Sequence, residues 1–110
     1  MAYDEDMAAR VRDILAPERG LSEKRMFGGL AFLLNGHMTV AVSGQGGLLL
    51  RIDPTRSDEL VAHPDVDRMV MRGREMDGWL WVHLPAVDTE ERLTEWVGLG
   101  VAFVRTLPPK

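Results

Sequence analysis

Apolar Met7, Val11, Ile14 and Leu15 recur at i, i+4, i+7 and i+8, behind the acidic run Asp4-Glu5-Asp6. That spacing lines one face of a helix, and carboxylates suit the positive end of its dipole. A helix is therefore predicted from about Asp4 to Ala16, stopped by Pro17 and Gly20. From Gly29 the period changes. Leu30–Leu34 and Met38–Val42 flank Asn35-Gly36, a dipeptide that readily takes the two positive φ angles of a type I′ hairpin turn. Ser43-Gly44-Gln45-Gly46-Gly47 makes a second turn into Leu48–Ile52, which completes a three-strand antiparallel meander. Asp53-Pro54 starts a short helix through Leu60, Val61 and Ala62 that ends at Pro64. Arg68–Arg72 and Trp79–Leu84 read as two strands of a further hairpin joined through Gly73–Gly78, with Leu80, Val82 and Leu84 facing the core. Finally Asp88, three residues before Glu91, caps a long helix in which Leu93, Trp96, Val97, Gly100 and Val104 form the apolar stripe. Gly98 and Gly100 weaken that helix by about 1 kcal/mol each relative to alanine, which predicts a close packing contact there.

The order helix, three-strand meander, helix, two-strand hairpin, helix specifies a two-layer α+β domain, an antiparallel sheet with helices on one face. At 110 residues the chain fits one domain with a core that needs no staples. No cysteine is present, so disulfides, thiol catalysis and cysteine-based metal sites are excluded. The longest apolar stretches, such as Leu30–Leu34, fall far short of the roughly 20 residues of a membrane span. With an acidic N-terminus unlike a signal peptide, a cytoplasmic protein without membrane contact is expected.

Charge narrows the function. Thirteen Lys and Arg stand against 17 Asp and Glu, a formal net charge of −4. Residues 1–55 carry six basic and seven acidic side chains and residues 56–110 carry seven and ten, so neither half is a basic module of the kind that neutralises phosphates. High-affinity nucleic-acid binding by the chain alone is not expected. His37, His63 and His83 show none of the local spacings of hydrolytic zinc sites, and Ser22, Ser43 and Ser57 lack a nucleophile elbow. Gly44-Gln45-Gly46-Gly47 joins two predicted strands, not the strand and helix that a phosphate-binding fingerprint requires. No catalytic residue, metal or cofactor is expected.

Two segments have more character. Lys24-Arg25-Met26-Phe27-Gly28-Gly29 reads either as a strand entrance with Met26 and Phe27 in the core, or as a patch where Lys24 and Arg25 grip a carboxylate or phosphate of a partner. Arg68, Arg72 and Arg74 fall within seven residues, and alternation places Arg68 and Arg72 on one strand face. They form either a solvated face paired with acids or, with Trp79 or Trp81 as a stacking wall, a site for a small anionic ligand.

Lys24-Arg25-Met26-Phe27-Gly28-Gly29, the strand after it and the Asn35-Gly36 turn resemble the N-terminal domain of the TfoX/Sxy family. The resemblance runs from Tyr3 through Met71-Arg72-Gly73-Arg74 and Gly78-Trp79 to Phe103-Val104-Arg105. It implies a small α+β fold like that of type III secretion chaperones. It also implies kinship with regulators of natural competence that act with the cyclic-AMP receptor protein at promoters. Those regulators carry a second, C-terminal domain, and a sequence ending at Pro108-Pro109-Lys110 predicts a stand-alone N-terminal domain. The expected function is a non-enzymatic protein-interaction module, an accessory to transcription, whose partner is a protein. A two-fold homodimer is also expected. Seven methionines and three tryptophans exceed what a thin core requires, and Trp79 and Trp81, with Met69 or Met71 on the adjacent strand, would make an exposed patch. In the competing monomer, the last helix packs over these tryptophans, or Arg72 and Arg74 stack on them.

Overall fold

The computed structural model describes residues 3–26, 28–71 and 73–108. Helix α1 spans Glu5–Leu15. Asp4 caps it, its Oδ1 accepting from the backbone N–H groups of Asp6 and Met7 at 3.0 and 3.1 Å, two of the donors that a helix start leaves unpaired. Four strands follow: β1 (Leu21–Met26), β2 (Gly29–Leu34), β3 (His37–Val42) and β4 (Leu48–Arg51). The meander thus has one strand more than the three expected. Ser22, Glu23, Lys24 and Arg25 are all exposed, so β1 has no apolar alternation to announce it. Its ladder with β2, from Leu21↔Leu34 to Met26↔Gly29, holds it at the sheet edge, where charged side chains discourage further pairing.

A 3₁₀ turn at Pro54–Arg56 and helix α2 (Ser57–Leu60) come next, then β5 (Val66–Met71), β6 (Arg74–Val82), a second 3₁₀ turn (Leu84–Val87) and α3 (Glu90–Val104). Asp53 caps the first turn, accepting from the Thr55 backbone N–H at 2.9 Å. That bond, and then the Thr55 hydroxyl, hold its carboxyl below the ordinary value. The loop expected over Gly73–Gly78 is mostly strand, since β6 begins at Arg74, paired with Met71. At the other end β6 stops at Val82. Pro85 has no N–H for a ladder, and Leu84 is 47% exposed instead of core-facing. The cap of α3 is Thr89, whose Oγ1 accepts from the Arg92 N–H at 3.2 Å. Asp88 terminates the preceding turn.

All six strands form one antiparallel sheet in the order β1-β2-β3-β4-β6-β5, the hairpin joining it through β4 and β6. The Asn35-Gly36 turn is as expected: both residues have positive φ (52° and 84°), and Leu34 pairs with His37. Two residues further along, the register shifts so that Leu33 faces Met38 while Phe32 faces Val40, which leaves Thr39 as an extra residue in β3. The helices pack on one face. Met7, Val11, Leu93 and Val97 meet Leu30, Phe32, Val40, Val42, Leu48, Leu50, Leu80 and Val82 in the main core. A Cβ on Gly100 would stand 2.9 Å from Leu50 Cδ1 and 3.1 Å from the Arg51 carbonyl oxygen, so here α3 does approach the sheet closely. Gly98 has nothing within 4 Å of that position and belongs to no such contact. His37 Nε2 lies 2.6 Å from the Pro108 carbonyl oxygen, fastening the segment after α3 to the β2–β3 hairpin. Among the described residues no helix is long and apolar enough to cross a membrane.

Candidate functional site

The opposite face of the sheet has its own apolar cluster. Ala31, Ala41 and Leu49 are buried there, with Met26, Leu33, Met38, Met69 and Trp81 packed against them and half-exposed. All eight are strand residues, so among the described residues no helix takes part in this cluster. Directly opposed residues of neighbouring strands share a face, and the register runs Lys24↔Ala31, Ala31↔Ala41, Ala41↔Leu49, Leu49↔Trp81 and Trp81↔Asp67. One residue from each of the six strands therefore stands at a single level: Lys24, Ala31, Ala41, Leu49, Trp81, Asp67. The row is cationic at the β1 edge, anionic at the β5 edge and apolar between.

Trp81 is held in place from several sides. Its Nε1–H donates to the Gly46 carbonyl at 3.0 Å. Gly47, at φ 74°, leaves room for the ring, because a Cβ there would sit 3.0 Å from Nε1. The His83 ring stacks on it with centroids 5.5 Å apart, and His83 Nε2 meets Asp67 Oδ2 at 2.7 Å. Trp79 is half-buried too. Among the described residues the cation over it is Arg51, 5.4 Å from its centroid and 5.5 Å from that of Phe103, and not Arg74; the supposed Arg72 stack lies outside the described residues. α3 does not cover Trp81, since it packs on β3 and β4 from the other face. A groove of ≈ 540 Å³ lies beside Trp81, its lining including apolar Leu49, Met69 and Val70 and charged Asp67, Arg68 and Glu75.

The basic candidates do not converge. Lys24 pairs with Ala31 of the bare-face cluster, whereas Arg25 pairs with Leu30 of the main core. Strand alternation thus sends the two cations to opposite faces, and they cannot grip one anion together. Met26 sits in the bare-face cluster, not in the main core; Phe27 lies outside the described residues. Arg68 pairs with Asp58 and, at 3.7 Å, with Asp77, and a register shift between Arg68 and Met69 breaks the alternation after it. Arg72 lies outside the described residues, and Arg74 is exposed at the start of β6. On the helix side, Arg12 of α1 binds Glu23 of β1 through two bonds of 2.6 and 2.8 Å. The Arg12 hydrogen bond holds the Glu23 carboxyl below its ordinary value, and the same bond raises the guanidinium.

Sequence reasoning reached Trp81 and Met69 of this cluster and singled out Lys24 beside it. It missed Met26, Ala31, Leu33, Met38, Ala41 and Leu49 as its members, while Trp79 stacks with Arg51 outside it. The hairpin turn contained the signal for two of them, because a two-residue loop closing Leu34 on His37 sets Leu33 opposite Met38. A smaller cavity of ≈ 280 Å³ lies between α2 and α3, lined by His63, Trp96 and Leu99 among others. Among the described residues no three His, Cys, Asp or Glu side chains gather in a metal-holding group.

The sequence model of the TfoX N-terminal domain matches residues 13–104. No curated protein and no solved structure shows significant similarity to the chain.

Proposed function

The chain belongs to the TfoX N-terminal domain family, and from that premise we propose that it is a non-enzymatic protein-interaction module that works as an accessory to transcription. One observation carries this reading: on a sheet face where no helix packs among the described residues, the half-exposed Met26, Leu33, Met38, Met69 and Trp81 form one apolar cluster around the buried Ala31, Ala41 and Leu49. Contiguous exposed apolar surface on a soluble domain marks a contact site, and Met and Trp supply the adaptable and aromatic contacts that interfaces favour. The acidic balance of 13 against 17 charges fits a protein that reaches promoters through another protein. Its direct affinity for duplex DNA is expected to stay in the non-specific range of about 10⁻⁴ to 10⁻⁶ M at physiological salt. Nanomolar, sequence-selective retardation of DNA by the purified chain would overturn that role.

The test of the surface is capture of partners from native extract by immobilised wild-type protein and by a Leu33→Glu variant with an unchanged melting temperature. Loss of the captured protein in the variant supports the reading. Equal capture by both contradicts it. The small-anion alternative requires cations that meet at one point. Arg68, the one cation among the groove's described lining residues, is already paired with Asp58 and Asp77, and the same lining holds two acids, Asp67 and Glu75, so the protein-partner reading is preferred.

A further inference from the structure

The six-residue row across the bare face has a property that neither its charge nor its apolar content shows alone. Read from β1 to β5 it is Lys24, Ala31, Ala41, Leu49, Trp81, Asp67: cation, small, small, larger, largest, anion. A two-fold axis in the plane of the face and parallel to the strands reverses the order of the strands but keeps the level along them. Such an axis sets Lys24 over the second copy's Asp67, Ala31 over its Trp81 and Ala41 over its Leu49. The low points of one face, over the buried Ala31 and Ala41, then lie opposite the larger Trp81 and Leu49 of the other, and each charge faces its opposite, Asp67 keeping its 2.7 Å contact with His83. An axis in the same plane but across the strands would instead set Lys24 over Lys24, Asp67 over Asp67 and Trp81 over Trp81.

We infer that the occupant of the bare face is a second copy of this chain, docked sheet to sheet about a two-fold axis parallel to the strands. This rests on the reading of the face as an interface and adds its partner and orientation. The resulting stack keeps strands aligned, as face-to-face sheets do, at about 10 Å separation. Six strands about 4.8 Å apart and about five residues long present some 24 by 18 Å each. With side-chain relief, two such faces remove about 1,000 Å² from water, the lower edge of what specific association needs. The dimer is therefore a weak one, and the charged ends decide its orientation more than its strength. Met26 and Met38, flexible and half-exposed beside the alanines, are suited to make way for the incoming indole.

The test is sedimentation equilibrium from about one to several hundred micromolar on wild type, Lys24→Glu, Asp67→Lys and the double variant, with Trp81→Ala beside them and melting temperatures for all. The expected result is a mass that rises towards twice 12.3 kDa in the wild type. Each single charge reversal, which opposes like charges at both ends of the row, should weaken association about tenfold, and the double reversal should restore it. A mass that stays at 12.3 kDa throughout overturns the second copy as occupant, while the capture experiment above still decides whether the face is an interface. A dimer lost in Trp81→Ala but indifferent to the charge reversals, or weakened by them without rescue, overturns the orientation. A dimer indifferent to all the variants places the contact elsewhere and overturns this inference, while the capture experiment decides the reading of the face.

Discussion

Phe32 and Ala31 are neighbours in β2 and both have no exposed surface, yet they are hidden by different means. Phe32 lies in the main core with Val11, Leu93 and Val97 of the helices. Ala31 points the other way, and among the described residues it is clustered with side chains of its own sheet, Met26, Leu33 and Met38 included. Burial on the first face is bought with a second layer of structure; on the other it comes from pairing small residues with long flexible ones. The two faces should therefore respond differently to the same kind of damage. Truncation on the helix face opens a cavity between rigid elements. On the bare face it changes what a partner would meet and leaves the fold largely intact.

The largest expected effect is Phe32→Ala, which should cost about 3–5 kcal/mol of unfolding free energy in chemical denaturation. Leu33→Ala, one residue along and on the other face, should cost about 1 kcal/mol, since only part of its surface is removed from water. Comparable losses at both positions would erase the distinction between the faces. Next comes the turn that sets their register. Gly36 has φ 84°, and a β-branched side chain strongly resists that conformation, so Gly36→Val should lower stability by about 1–3 kcal/mol. An unchanged melting temperature would show that the turn does not set the pairing.

Two glycines of α3 sharpen the comparison at smaller scale. Gly100→Ala pushes a Cβ against Leu50 and the Arg51 carbonyl and should destabilise by about 1–3 kcal/mol through overpacking. Gly98→Ala meets open space and should stabilise by about 0.5–1 kcal/mol through helix propensity. Thermal unfolding of the pair should therefore show shifts of opposite sign.

The smallest effect concerns the ion pair that ties α1 to the edge strand β1 on the helix face. Glu23, held below its ordinary pKa by the Arg12 hydrogen bond, contributes stability that is fully present above the unfolded carboxylate value, near about 4.3. That contribution fades as pH falls through the lower folded value. With side chains 46% and 32% exposed, the pair is worth less than about 1 kcal/mol. Glu23→Gln should flatten that part of the acid limb of a stability–pH profile and leave neutral pH slightly destabilised. A limb as steep as that of the wild type would deny the pair any role.

Most of the architecture was legible in the sequence because its devices are local. Apolar periodicity marked α1 and α3, Asn35-Gly36 marked the hairpin, and Asp53-Pro54 marked the start of the 3₁₀ turn. What was illegible depends on neighbours. β1 is a strand because β2 offers it a ladder, and its four exposed polar residues say nothing of that. The extra residue Thr39 matters more. Without it, Asn35-Gly36 pairing would set Phe32 opposite Thr39 and Ala31 opposite Val40. With it, Phe32 meets Val40 and Ala31 meets Ala41, which brings the alanines of two strands to one face. A bulge of this kind is buried and apparent only from the cross-strand register. Lys24 and Arg25 part for a simpler reason: they are consecutive in a strand that only its ladder with β2 reveals, so alternation sends them to opposite faces.

The central claim, that the bare face is where a second copy docks, is tested most directly by the indole that lies on it. In a Trp79→Phe, Trp96→Phe background Trp81 is the sole tryptophan of the three. Its emission should move to shorter wavelength, and its quenching by acrylamide should fall, as protein concentration rises from about one to several hundred micromolar, the range set by an interface of about 1,000 Å². Emission and quenching that stay constant across that range, in a sample whose fold is intact, would contradict it.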